Sequence, residues 1–121
     1  MLQDNKLQSY RDTVTFTACF ESYGTTNIYL KDITFTNEAP FILPFDATLI
    51  SLAISGHYAE TWIGELHSNG TLISGCSVSL NAEKSGVLLC NMNMNAGMPI
   101  EMYCKGIGIA HPRITAVFRR R

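Results

Sequence analysis

The chain has 121 residues, 46% of them hydrophobic and only 16% charged, with a formal net charge of −1. That length is one domain, and the apolar fraction is enough for a real core. The charge balance excludes a dedicated nucleic-acid binder and a disordered acidic segment. No run approaches the ~20 apolar residues that span a bilayer as a helix, so no membrane partner is expected.

Residues 1–12 are polar apart from Leu2, Leu7 and Tyr10. They predict an N-terminal arm with too few apolar groups to fold alone, ahead of a single domain over 13–121. The start has no apolar signal-peptide core. From Thr13 the pattern alternates. Val14, Phe16, Ala18 and Phe20 share one face, and Thr13, Thr15 and Thr17 share the other. Period two of this kind predicts a half-buried strand. Ser22–Asn27 is turn-like, and residues 27–36 are β-formers broken by Lys31 and Asp32. Pro40 and Pro44 exclude helix and central strand and leave an extended apolar edge segment containing Phe41 and Leu43.

Ala47–Ser55 alternates again, with Thr48, Ile50, Leu52 and Ile54 expected on one face. Thr61–His67 is the next strand. Asn69-Gly70 then specifies a two-residue type I′ hairpin, because both residues tolerate positive φ. The chain returns through Thr71–Ile73, with Gly75 as a candidate bulge, and Cys76–Leu80 alternates. Residues 81–86 read as a loop. In Val87–Met94 the methionines are expected inward and Asn91 and Asn93 outward. Asn95–Pro99 is a turn, and residues 100–104 and 107–118 complete the set, with Pro112 marking an edge or bend. Helical periodicity is absent over any long stretch. The sum is an all-β antiparallel sandwich, jelly-roll-like, of about eight strands.

Chemistry is sparse. Cys19, Cys76, Cys90 and Cys104 lack C-x-x-C spacing, so zinc-knuckle and redox templates fail. Four cysteines permit two disulfides, but the apolar settings favour buried free thiols and a reducing compartment of synthesis. His57, His67 and His111 form no His-x-His pair, so neither metal nor another cofactor is expected. No Gly-x-Ser-x-Gly elbow is present. Carboxylate pairs such as Glu60 with Glu65 are explained as solvated loop residues, and no enzyme is expected. Trp62 is expected in the core; exposed, it would serve with His57 and Tyr58 as a ligand-binding surface. Residues 1–60 carry a net charge of −4 and residues 61–121 a net of +3, half of whose bases are Arg119, Arg120 and Arg121. A basic end of this kind grips an acidic partner or is a solvated terminus.

The run Ala39-Pro40-Phe41-Ile42-Leu43-Pro44-Phe45-Asp46-Ala47-Thr48-Leu49-Ile50 is followed by the hairpin of residues 60–73. The turn at 95–100 and the closing strand at 112–118 come next. This order resembles the small jelly-roll modules of tailed-phage virions: capsid decoration (cement) proteins, head or collar spikes, and tumour-necrosis-factor-like knobs. The resemblance implies a non-enzymatic structural protein on the outer surface of the virion, made in the host cytoplasm. It would be a homodimer or homotrimer bound to the major capsid protein or another head or neck protein. Leu2, Leu7, Tyr10 and Arg119–Arg121 are then expected at the capsid contact. Phe41, Leu43, Asn91 and Asn93 are expected at the contact between copies. The alternative it implies is a receptor- or glycan-binding knob using His57, Tyr58 and Trp62.

Overall fold

The computed structural model describes residues 13–32 and 40–121. The expected arm, with Leu2, Leu7 and Tyr10, lies outside the described residues, as do residues 33–39. The described residues are all-β and antiparallel, without helix. The strands are β1 (Thr13–Cys19), β2 (Ile28–Tyr29), β3 (Lys31–Asp32), β4 (Phe41–Ile42), β5 (Ala47–Ser68), β6 (Thr71–Met94), β7 (Pro99–Lys105) and β8 (Arg113–Arg120).

Two very long strands, β5 and β6, form a bent hairpin that organises the rest. It closes at Asn69-Gly70, where φ is 53° and 77°. Those values are the left-handed pair that a type I′ turn requires, as the sequence predicts. The first half of β5 pairs with β8 and with the second half of β6. Its second half pairs with β7 and the first half of β6. β1 and β3 extend the first half-sheet beyond β8, and β2 and β4 flank β7 in the second. The two expected layers are therefore two halves of one curled sheet.

The layers meet through a crossed arrangement of glycines. Ile54 is paired with Gly86, and Gly64 with Val78. The Ile54 side chain of the first row fills the space above Gly64, and Val78 of the second, with Leu80 from the row of Trp62, presses on Gly86. Each row contributes one large side chain and one bare backbone, so the halves approach closely and still interlock. Around them lie Ile114, Cys104, Ala18, Leu52, Leu66, Met102 and Phe118, all buried. At about 25 cal/mol per Å² of apolar surface removed from water, each such Leu, Ile or Phe contributes roughly 1.5–3 kcal/mol.

The bend itself shows as register shifts in β5 between Ser55 and Trp62. Across from it, Ala82 of β6 adopts φ 56°, and its N–H donates to Thr61 Oγ1 at 3.1 Å. The loop expected over 81–86 is thus strand, because the bent partner continues to offer hydrogen bonds through it. A second departure lies at Ile50. Ala47 and Leu49 are buried and so are Leu52 and Ile54, because a bulge between Leu49 and Ser51 resets the alternation. The expected face of Thr48, Ile50, Leu52 and Ile54 is split there.

Elsewhere the pattern is as read. Val14 and Phe16 pack on the core while Thr15 is exposed. Met94 is buried with Met92 beside it, and Asn91 and Asn93 point outward. Pro112 is buried immediately before β8, and its carbonyl accepts from the Phe20 N–H at 3.2 Å. All four cysteines are free. Burial, with Glu60 adding its negative charge, pushes the Cys104 thiol up to about 12, and burial with nearby Cys90 pushes Cys76 up to about 11. Both stay protonated and unreactive at neutral pH.

Gly64 tests the crossed packing, because a methyl group there collides with Ile54 and presses on Ile114. Gly64→Ala should lower unfolding stability in urea by about 1–3 kcal/mol. Gly24→Ala, which meets nothing within 4 Å, should change it by less than about 0.5 kcal/mol.

Candidate functional site

Three surfaces carry side chains with chemistry. The first is the outward face of the first half-sheet. Register places Leu89, Ser51, Val117 and Thr15 in one row and Val87, Ala53, Thr115 and Thr17 in the next. Neither row holds a charge. Arg119 lies in the row on one side and Arg113 in the row on the other. Leu89 is 79% exposed and Val87 62%, both on β6. Among the described residues β6 pairs with β5 alone, so its other edge is free. The segment Ser85–Met94 on that edge contains no proline and no charged residue. Asn91 and Asn93, expected at a contact between copies, lie here. Asn93 is exposed, and its Oδ1 accepts from Thr48 Oγ1 at 2.8 Å.

The second surface surrounds the bend of β5. Tyr23, His57, Tyr58 and His111 form a cluster of four rings. Tyr23 stands edge-on to His111 at 4.4 Å and to His57 at 5.7 Å between centroids. His57 is 4.5 Å from Tyr58 and 5.7 Å from His111. Backbone bonds fix the support: His57 N–H donates to Ala110 O at 3.0 Å and His111 N–H to Ser22 O at 2.7 Å. His111 has φ 48°. A non-glycine residue there is strained, and the following Pro112 restricts it further. Tyr23 and Tyr58 are both more than half exposed.

The third is a buried relay on the outer side of the second half-sheet. Glu65 and His67 are two apart on β5 and so share a face. Glu65 Oε1 accepts from His67 Nε2 at 2.8 Å, and His67 Nδ1 lies 2.9 Å from the Tyr29 hydroxyl. In the tautomer that gives Nε2–H to the carboxylate, Nδ1 accepts a hydrogen bond from the phenol hydroxyl. Tyr103 stacks on His67 at 4.9 Å. Burial, then the charges of Glu101, Tyr103 and Glu65, push the Tyr29 phenol up, so it remains a donor. The chain Tyr29–His67–Glu65 is a satisfied polar network that ties β2 to β5 across β7.

The remaining expected site residues fall differently. Leu43 is 1% exposed. It is core, fastened by Leu43 N–H to Met98 O and Gly97 N–H to Leu43 O, and is unavailable to a partner. Phe41 is half-buried and stacks on Phe16 at 4.0 Å, whereas its neighbour Ile42 is exposed. Trp62 is 2% exposed, so the ligand surface loses it, and its Nε1 has no hydrogen-bond partner. His57 and Tyr58 remain on the surface. Arg119 and Arg120 end β8, and Arg121 follows it. Arg120 lies over Phe45 at 5.1 Å, and Arg121 donates to Met94 O at 2.8 Å and Asn95 Oδ1 at 3.2 Å. They fasten the strand end, with Arg119 exposed beside Thr13 and Thr48.

Sequence reasoning missed Tyr23, His111 and the Tyr29–His67–Glu65 relay, since only the topology brings those segments together. Among the described residues no three His, Cys, Asp or Glu side chains converge as a metal cluster.

No protein-family model matches the chain, and no curated protein matches it. Among solved structures, the crystal structure of FlhE is similar over 90% of this chain and 98% of that one. The two are 13% identical, with a TM-score of 0.43. That likeness carries no argument about function.

Removal of the Tyr29 hydroxyl leaves His67 Nδ1 buried without its donor. Tyr29→Phe should lower unfolding stability by about 1–3 kcal/mol, read by urea denaturation at neutral pH.

Proposed function

We propose that the chain is a non-enzymatic assembly protein that associates with copies of itself through the free edge of β6. The particle that the sequence resemblance points to is a tailed-phage virion, with the protein as a decoration or cement subunit. One observation carries the self-association: the uncharged, proline-free edge of Ser85–Met94 with Leu89 and Val87 exposed upon it. An edge strand of this kind is a template for pairing, and monomeric proteins blunt such edges with Lys, Pro or bulges. Antiparallel pairing of β6 with β6 of a second copy satisfies both rows of backbone groups. It also brings Val87 and Leu89 of each copy against their counterparts, with Asn91 and Asn93 at the same contact. The contact is isologous, the form that closes on two-fold symmetry.

Phe41 is left out of the contact, since its ring is engaged by Phe16. Arg119 is the exposed base available to an acidic shell surface. The alternative reading, a receptor- or glycan-binding knob, retains His57 and Tyr58 as exposed groups and has Tyr23 added to them.

Sedimentation velocity on the full chain tests the edge. A dimer or a larger closed oligomer is expected for the native sequence. Leu89→Lys places like charges face to face across the two-fold and should yield monomers with an unchanged β-sheet circular-dichroism spectrum. A native chain that stays monomeric at every concentration, or a lysine variant that still associates, contradicts the proposal. Co-sedimentation with capsids then tests the virion setting separately.

A further inference from the structure

We propose that His57 and His111 form a two-imidazole site for a borderline divalent transition-metal ion such as Zn²⁺, Ni²⁺ or Cu²⁺. Their ring centroids are 5.7 Å apart. A nitrogen that ligates zinc sits about 2.0–2.1 Å from the ion, which puts each ring centroid roughly 3.2 Å away. Two imidazoles on one ion at tetrahedral to wider angles therefore have centroids about 5–6 Å apart. The observed separation falls in that interval.

The support is preset. His57 extends from β5 just past Gly56, and its backbone is tied to Ala110 at 3.0 Å. His111 follows Ala110 directly and is tied to Ser22 at 2.7 Å. The same strand bend thus fixes both ligand-bearing residues relative to each other, and little chain entropy remains to be lost on chelation. His111 holds a left-handed φ of 48° ahead of a proline. Such a conformation persists only where surrounding contacts over-determine it, and strain of this kind gathers at ligand sites. Here it turns the imidazole toward the ring triangle with Tyr23 and His57.

The surroundings suit the ion class. Imidazole suits Zn²⁺, Ni²⁺ and Cu²⁺ and is a poor ligand for Mg²⁺ or Ca²⁺, which prefer oxygen. Glu60 Oε1 accepts from the Ala110 N–H at 3.0 Å, and among the described residues no third His, Cys, Asp or Glu joins the two imidazoles as a cluster. Solvent completes the coordination shell. Such a site is open, with positions free for a carboxylate or imidazole of a partner. Tyr23 and Tyr58 wall its flanks.

Calorimetric titration of the full chain with Zn²⁺ alone, then with Ni²⁺ alone, tests this in a non-chelating buffer with a non-thiol reductant. One ion per chain is expected. His57→Asn and His111→Asn should each weaken binding by about tenfold or more, since each leaves a single imidazole. Acidification should weaken native binding, because protons compete for the ring nitrogens. NMR of the imidazole protons should show His57 and His111 shifting together on Zn²⁺ addition while His67 stays in place. Circular dichroism checks that each variant is folded. Native chain that binds neither ion at millimolar concentration overturns the proposal. So does binding that survives both substitutions and is lost when the thiols are alkylated, which would assign the ion to cysteine.

Discussion

The curled shape depends on one packing device, the crossed seating of Ile54 over Gly64 and of Val78 and Leu80 over Gly86. A pair of strands as long as β5 and β6 would otherwise form a flat ribbon with both faces wet. Because the bulky member of each row lies opposite the bare backbone of the other, the hairpin can fold back on itself with its halves in contact. Three further strands then extend each half, β8, β1 and β3 on one side and β7, β2 and β4 on the other. The core closes with Ile114, Cys104, Phe118 and Met102 in the gap.

Curling has two consequences for the surface. Among the described residues β6 is the outermost strand of both halves, so a single continuous edge runs the length of the long hairpin. Its first half carries Lys84 and Glu83 near the bend and a glycine bulge at Gly75, features that discourage pairing. Its last ten residues carry one register shift, between Leu89 and Met92, but no charge and no proline, and that contrast in charge within one strand is why self-association is assigned to Ser85–Met94. The bend also lifts the backbone around His57 to the top of the fold. There it meets the turn before β8, and four rings from three segments converge.

What the sequence disclosed follows the range of the interactions involved. The Asn69-Gly70 hairpin, the alternation of Thr13–Phe20 and the inward methionines between Asn91 and Asn93 are set by neighbours, and each was legible. The bulge at Ile50 was not, because it answers to Phe118 and Val117 of a distant strand. Residues 81–86 look like a loop alone and become strand only because β5 bends beside them. Leu43 lies in a proline-bounded segment that reads as an exposed edge, yet the turn at Gly97 and Met98 closes over it. His57 lies within β5 and His111 in the turn before β8, with all of β6 and β7 between them in the chain, so no spacing rule could pair them. The same is true of Tyr29 with His67.

β5 is a single strand shared by two halves that cannot separate without breaking the crossed glycine seats. Amide hydrogen exchange followed residue by residue measures this directly. Amides of Leu52–Ile54 and of Ile63–Leu66 should be the slowest in the molecule and should open with the same free energy, that of global unfolding. If one half of β5 exchanges through a separate, lower-energy opening while the other stays protected, the halves are independent units and the central claim is wrong.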